Sequence, residues 1–280
     1  MSLQNKAIQC ALKVKVWGVS KTDKGESQKV VSANQAETGA AKVAKILVVD
    51  DKLKAIQTIA NDARNNTHYH LSLPWLQSYR IIPQELVYRW ENELSNKRAE
   101  FNAAVGDFIA DYWDIVERQS ARLGKLYNLS DYPNPAKVAT AFELNYHVAP
   151  LSTAGDFRVS LSDELKSTLA EAYTKELRDA QAHTVSRFRK ALTAFCDSQS
   201  DTRKRQNLSV YDDLAEFVKL AAALNVADDS TLTDLVKRTA DILSNVRMQD
   251  LREKNQLAQT AVANVGDIIN DLDAALEYAV

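Results

Sequence analysis

The sequence predicts a mainly α (α+β) protein, with a small N-terminal β element packed on a bundle of long helices. Three observations predict it. Glycine (7) and proline (5) are scarce among 280 residues, which removes most turn signals and favours long helices. Residues 7–19 alternate with period two, as a half-buried strand does. From Pro83 onward, apolar residues recur at spacings of three and four, the period of an amphipathic helix. The expected division is an α+β element over 1–82 and a long-helix bundle over 83–280, or one continuous domain.

The first strand places Ile8, Cys10, Leu12, Val14 and Val16 on one face and Gln9, Lys13, Lys15 and Trp17 on the other. Lys24-Gly25 reads as a turn in the polar stretch 20–29, with Val30-Val31 starting a return strand. Residues 42–49 read as a strand or as the start of a helix. Behind them, Leu53, Ile56, Ile59, Ala60 and Ala63 form a helical stripe with Asp50 or Asp51 as N-cap. Residues 65–82 read as a loop with strand character. Pro83 then suits the first turn of a helix running to about Leu126, with Trp90, Leu94, Phe101, Phe108 and Tyr112 in its stripe. Tyr132-Pro133-Asn134-Pro135 breaks the chain, and Phe142, Leu144, Tyr146 and Val148 alternate as a short strand.

The remainder reads as helix. Ser160 or Ser162 caps a segment carrying Leu165, Leu169, Tyr173, Leu177, Ala180, Thr184, Phe188, Leu192 and Phe195. A second helix covers 208–225. A third starts near Thr231 and extends toward the C-terminus, with a stripe that weakens over 247–256. Helices this long bury little against themselves and need a bundle or another copy of the chain.

Composition narrows the function classes. Lys+Arg is 35 and Asp+Glu is 37, a net charge of -2, which disfavours a globally basic nucleic-acid binder while leaving a local patch open. Two cysteines, Cys10 and Cys196, exclude a disulfide scaffold and fit a reducing cytoplasm. No secretory pattern follows Met1, and no apolar run is long enough to span a membrane, so the expected location is cytoplasmic with no membrane partner. Residues 1–55 carry ten lysines against five acids, and residues 257–280 carry four acids and no base. Such ends attract each other within a chain or between chains, or form two ordinary solvated surfaces.

The motifs that suggest chemistry lack the partners that chemistry needs. Lys45-Ile46-Leu47-Val48-Val49-Asp50-Asp51 looks like the first strand of a receiver domain or a Walker B strand. A receiver needs alternating strands and helices after it, and a nucleotide site needs a Gly-rich loop. All seven glycines are isolated. His68 and His70 would share one face of a strand, but zinc sites take three or four ligands, and the other histidines are distant in sequence. Cys196 and His183 lie thirteen residues apart on one expected helix, roughly 20 Å along its axis, too far for a dyad. No catalytic residue, metal ligand or cofactor is expected.

The densest basic clusters are Arg187, Arg189 and Lys190 on a helix, and Arg203, Lys204 and Arg205 in the turn that follows. They are the candidate nucleic-acid-binding residues, because guanidinium groups bind phosphates bidentately. The competing reading is a solvated helix end whose bases complement the helix dipole.

Three segments carry a resemblance. They are Leu12-Lys13-Val14-Lys15-Val16-Trp17-Gly18; the helix from Asp51 to Arg64 leading through Thr67 and Leu71 to Tyr79-Arg80-Ile81-Ile82-Pro83 and a long charged helix; and Tyr132-Pro133 followed by Phe142-Glu143-Leu144-Asn145-Tyr146-His147-Val148-Ala149-Pro150. Over roughly residues 10–195 the chain resembles domain-of-unknown-function family 3150 of bacteriophages and integrative elements. The resemblance transfers no activity and no site residue. It implies a phage or mobile-element setting, in the host cytoplasm if phage-encoded. Genes of that family often neighbour those for MoxR-type ATPases and von Willebrand A-like proteins, which implies an accessory role beside such an ATPase.

The expected function is therefore non-enzymatic, through self-assembly as a homo-oligomer or as an interaction scaffold. The strand at 10–17 is expected to pair with a neighbouring copy at an exposed edge, and the last helix to bury its stripe against one. The alternatives are a nucleic-acid-associated protein using the basic clusters and an adaptor of a MoxR-type ATPase.

Overall fold

The computed structural model describes residues 3–76, 79–151, 162–200 and 209–277. In chain order it begins with β1 (Ala7–Lys15), β2 (Ser20–Asp23), α1 (Lys24–Ala33), β3 (Val43–Ile46) and α2 (Asp51–Asp62). A π-type turn over Ala63–His68 leads to the short α3 (Tyr69–Leu71), then β4 (Leu73–Pro74) and β5 (Arg80–Pro83). Next come α4 (Gln84–Ala110), α5 (Tyr112–Leu123), α6 (Pro135–Ala139) and β6 (Glu143–Ala149). The described C-terminal part is α7 (Asp163–Ser200), α8 (Ser209–Leu224), α9 (Ser230–Ser244), α10 (Met248–Glu253) and α11 (Gln256–Glu277). The protein is mainly α with a small antiparallel β element, as the sequence predicts.

Packing divides the chain into two compact units, each discontinuous in sequence. The 82/83 boundary read from the sequence falls inside the 71–89 segment of the first unit.

That first unit comprises residues 1–11, 71–89 and 148–280. Here β5 pairs antiparallel with β4 and with the first half of β1, in a register from Ala7↔Pro83 to Cys10↔Arg80. Cys10, Leu73, Ile81 and Ile82 are buried. The helices α7, α8, α9 and α11 pack as neighbours over Phe188, Leu192, Phe217, Leu224, Leu235 and Ile268. Asp229 caps α9, its Oδ1 accepting from Leu232 N at 3.0 Å. The stripe that weakens over 247–256 is where the last helix breaks. Lys254 closes α10 in a left-handed conformation (φ 49°), and Asn255 Oδ1 starts α11 by accepting from Leu257 N and Ala258 N.

The second unit comprises residues 12–70 and 90–147. Two expectations are corrected here. Residues 24–33 are the helix α1, not a turn and a return strand. Asp23 Oδ1 accepts from Glu26 N at 3.1 Å, a cap that commits the polar stretch to a helix burying Val31. The strand that returns to β2 is β3, in a register from Ser20↔Ile46 to Asp23↔Val43. The second correction concerns β1. It is an inner strand in the order β4-β5-β1-β6, not an edge strand, with β5 lying along Ala7–Cys10.

Asp50 is the N-cap of α2, its Oδ1 accepting from Lys52 N at 2.9 Å. Leu53, Ile56 and Ala60 form the buried face. The long helix expected over 83–126 is interrupted once, at Asp111 (φ -96°, ψ 10°), and ends at Gly124, whose φ of 51° suits a residue without a Cβ. Its buried stripe is Trp90, Leu94, Phe101, Phe108, Tyr112, Ile115 and Val116.

Candidate functional site

Among the described residues, the histidines and cysteines singled out in the sequence do not form a site. His68 lies in the π-type turn and His70 in α3, so helical geometry turns the two imidazoles away from each other. His68 is buried, and its Nδ1 accepts from Trp90 Nε1 at 3.2 Å. Among the described residues, no group of three or more His, Cys, Asp or Glu could hold a metal ion. Burial pushes the Cys10 thiol up to about 12, against Arg80 and Ser72, which lower it. The Cys196 thiol is raised by burial and then by Asp197. Neither is an activated nucleophile.

Asp50, the acid of the loudest sequence motif, is occupied as a helix cap and by Arg118, whose Nη2 lies 3.0 Å from Oδ2. Lys45 of the same motif is buried and structural. Its Nζ lies 2.5 Å from Asp131 Oδ2 and 3.2 Å from Asp23 Oδ2, and donates to Leu126 O at 3.0 Å. Burial raises the Asp131 carboxyl; Lys21 and Lys45 outweigh it, and the net shift is downward.

The described candidate nucleic-acid residues, Arg187, Arg189 and Lys190, lie on α7, and the two arginines have different partners. Arg187 points into the first unit, its guanidinium carbon 5.0 Å from the Phe217 ring centre. Burial, and then Arg80, lower its pKa to about 10. Arg189 is held by Asp273 through Nε to Oδ1 at 2.5 Å and Nη2 to Oδ2 at 2.8 Å. Lys190 is exposed. Arg203, Lys204 and Arg205 lie outside the described residues. Two acids of the C-terminal segment are engaged, Asp271 by Arg238 at 2.7 Å and Asp273 by Arg189.

The feature that stands out is α7. Its sequence has no glycine or proline over Asp163–Ser200 and is rich in Ala, Leu, Glu, Lys and Arg, all good helix formers. Ser162 Oγ accepts from Leu165 N at 3.3 Å, and Asp163 and Glu164 complement the N-terminal dipole. At 1.5 Å per residue it is roughly 57 Å long.

Its two halves differ. From Ala180 on, Ala180, Thr184, Val185, Phe188, Leu192 and Phe195 are buried at helical spacing. Over 163–179 no residue is buried. Yet that half carries the same kind of stripe. Leu165 is exposed, and Leu169, Ala172, Tyr173 and Leu177 are half-buried. Tyr173 leans on Trp75 with ring centres 5.8 Å apart, and burial raises its pKa.

The stripe runs into a cavity of about 720 Å³ between α7, α9 and α11. Leu177, Val185, Leu232, Leu235 and Leu272 supply apolar walls. Asp229 and Gln181 meet beside it, Gln181 Nε2 donating to Asp229 Oδ2 at 3.3 Å, and Arg178 stands at its rim. An apolar trough with a few polar groups can receive side chains of another polypeptide. The sequence marks Leu165 to Phe195 as one continuous stripe and does not distinguish the part that packs from the part left open.

No protein-family model, no curated protein and no solved structure matches the chain.

Proposed function

We propose that the protein is a non-enzymatic assembly scaffold that docks polypeptide, foremost copies of itself, on the open half of α7. One observation carries this reading: residues 163–179 hold an apolar stripe at helical spacing, contain no buried residue, and lead into a cavity with leucine walls. An apolar face that is only half covered, as this one is with Trp75 against Tyr173 and Leu165 exposed, is stabilised by whatever completes its cover. The resemblance of residues 10–195 to domain-of-unknown-function family 3150 supports a phage or mobile-element setting, with a MoxR-type ATPase as a further partner.

The nucleic-acid reading has less support. Arg187 lies against Phe217 and Arg189 is held by Asp273, so neither presents an uncommitted guanidinium to a phosphate.

Light scattering on the full chain across a concentration series tests the proposal. Mass growing above the 31.2 kDa of one chain supports it. A strict monomer at every concentration, in the absence of another partner protein, overturns self-assembly.

A further inference from the structure

We infer that residues 163–179 of α7 pair with the same segment of a second copy, antiparallel, about a two-fold axis level with Glu171. This rests on the assembly reading above and names its surface and partner.

The segment reads almost alike outward from Glu171 in both directions. Ala170 answers Ala172, Leu169 answers Tyr173, Thr168 answers Thr174, and Leu165 answers Leu177. In an antiparallel two-fold pair, residues equally far before and after the axis come level with each other, so like kinds of side chain meet. A parallel pair or an unrelated partner has no use for this symmetry.

The charges follow the same rule with opposite signs. Lys166 comes level with Glu176 on the flanks of the stripe, whereas Glu164 and Arg178, about 160° from its middle, face away from the partner. Asp163 comes level with Asp179, two acids. Each is already held within its own helix, Asp163 by Lys166 at 3.1 Å and Asp179 by Lys175 at 2.8 Å. Glu171, which would meet its own copy at the axis, is exposed. At 3.6 residues per turn it lies about 180° from the middle of the apolar stripe, so it faces away from the partner.

Leu165, Leu169, Tyr173 and Leu177 form a ridge of fourth-residue spacing. Two such ridges interlock in the commonest crossing of globular helices, at about -50°. Leu165 of the second copy then comes beside Leu177, which lines the cavity between α7, α9 and α11. The first turn of each helix closes the trough of the other. A contact of four to five turns is small beside the ~1,200–2,000 Å² of stable interfaces, so the dimer forms at concentrations on the order of micromolar or above.

The test uses the full chain in a Cys196→Ser background, where buried Cys10 does not compete for label. Nitroxide labels are placed singly through Glu164→Cys, Glu171→Cys and Arg178→Cys, all at exposed positions. Pulsed electron spin resonance reads the distance between copies. The pairing predicts the shortest distance at 171 and equal, longer distances at 164 and 178, because each of those adds about 21 Å of axial offset. In parallel, Leu165→Glu with Leu169→Glu should weaken association about tenfold or more, with an unchanged circular dichroism spectrum. Association that survives this double substitution, or a shortest distance at 164 or 178, overturns the pairing and leaves the assembly reading standing. A monomer up to about 500 μM overturns both.

Discussion

Arg189 of α7 grips Asp273 of α11 through two parallel hydrogen bonds, 2.5 Å and 2.8 Å long. The pair ties α7 to α11, and both side chains remain partly in water. Arg189→Ala should therefore lower stability only slightly, and less so as salt rises. Arg189 lowers the Asp273 pKa below its ordinary 3.8. A depressed carboxylate stabilises the fold above that ordinary value and loses its contribution as pH falls through the folded value. The difference in Tm between wild type and Arg189→Ala should thus be present at neutral pH and absent well below pH 3.8. Thermal melts at the two pH values check it.

A second prediction concerns Lys45. Its ammonium sits between Asp131 and Asp23, and its side chain and that of Asp131 are both less than one-tenth exposed. Lys45→Met removes the cation and strands Asp131 in a poorly hydrated place, with Lys21 as its remaining lysine. Tm should fall by several degrees. Both carboxyls are held below their ordinary value, so the network acts at neutral pH and fades in acid. A Tm unchanged at pH 7 would contradict the structural role.

His68 offers a third. Its Nδ1 accepts from Trp90 Nε1, so the imidazole proton sits on Nε2 when the ring is neutral. His68→Ala leaves a buried indole N–H without this acceptor and should cost about 1–3 kcal/mol, read by urea unfolding. Zinc should neither raise Tm nor change tryptophan fluorescence, because His70 points elsewhere.

The sequence makes some of this visible and hides the rest for physical reasons. Period-two alternation locates β1 and period-3.6 stripes locate α2, α4, α7 and α8, because burial selects apolar residues at the spacing of the backbone. The weak stripe over 247–256 marks the break that Lys254 and Asn255 make. α1 is missed because it buries little beyond Val31, and its signal is a cap at Asp23 rather than a stripe. β1 reads as an edge because alternation reports the faces of a strand and not its neighbours; β5 lies some seventy residues further along the chain. Arg187 and Arg189 look alike in sequence. Two residues apart on a helix they face different ways, one toward Phe217 and one toward Asp273. The openness of the first half of α7 is hidden because Leu165 and Leu169 continue the stripe of Phe188 and Leu192 without a change in pattern.

That contrast gives a fourth prediction. Leu192→Ala empties a fully buried site and should cost about 2–5 kcal/mol. Leu169→Ala in the open half should cost no more than about 0.5 kcal/mol in dilute protein, while weakening self-association. Chemical denaturation of both variants checks the pair. Equal losses would mean that the first half of α7 is part of the core.

The most direct measurement of the two roles of α7 is amide hydrogen exchange on the full chain in dilute and in concentrated solution. Amides over 165–178 should exchange faster than those over 184–195 when dilute, and gain protection on concentration while 184–195 stay unchanged. Equal protection along the whole helix, independent of concentration, would contradict it.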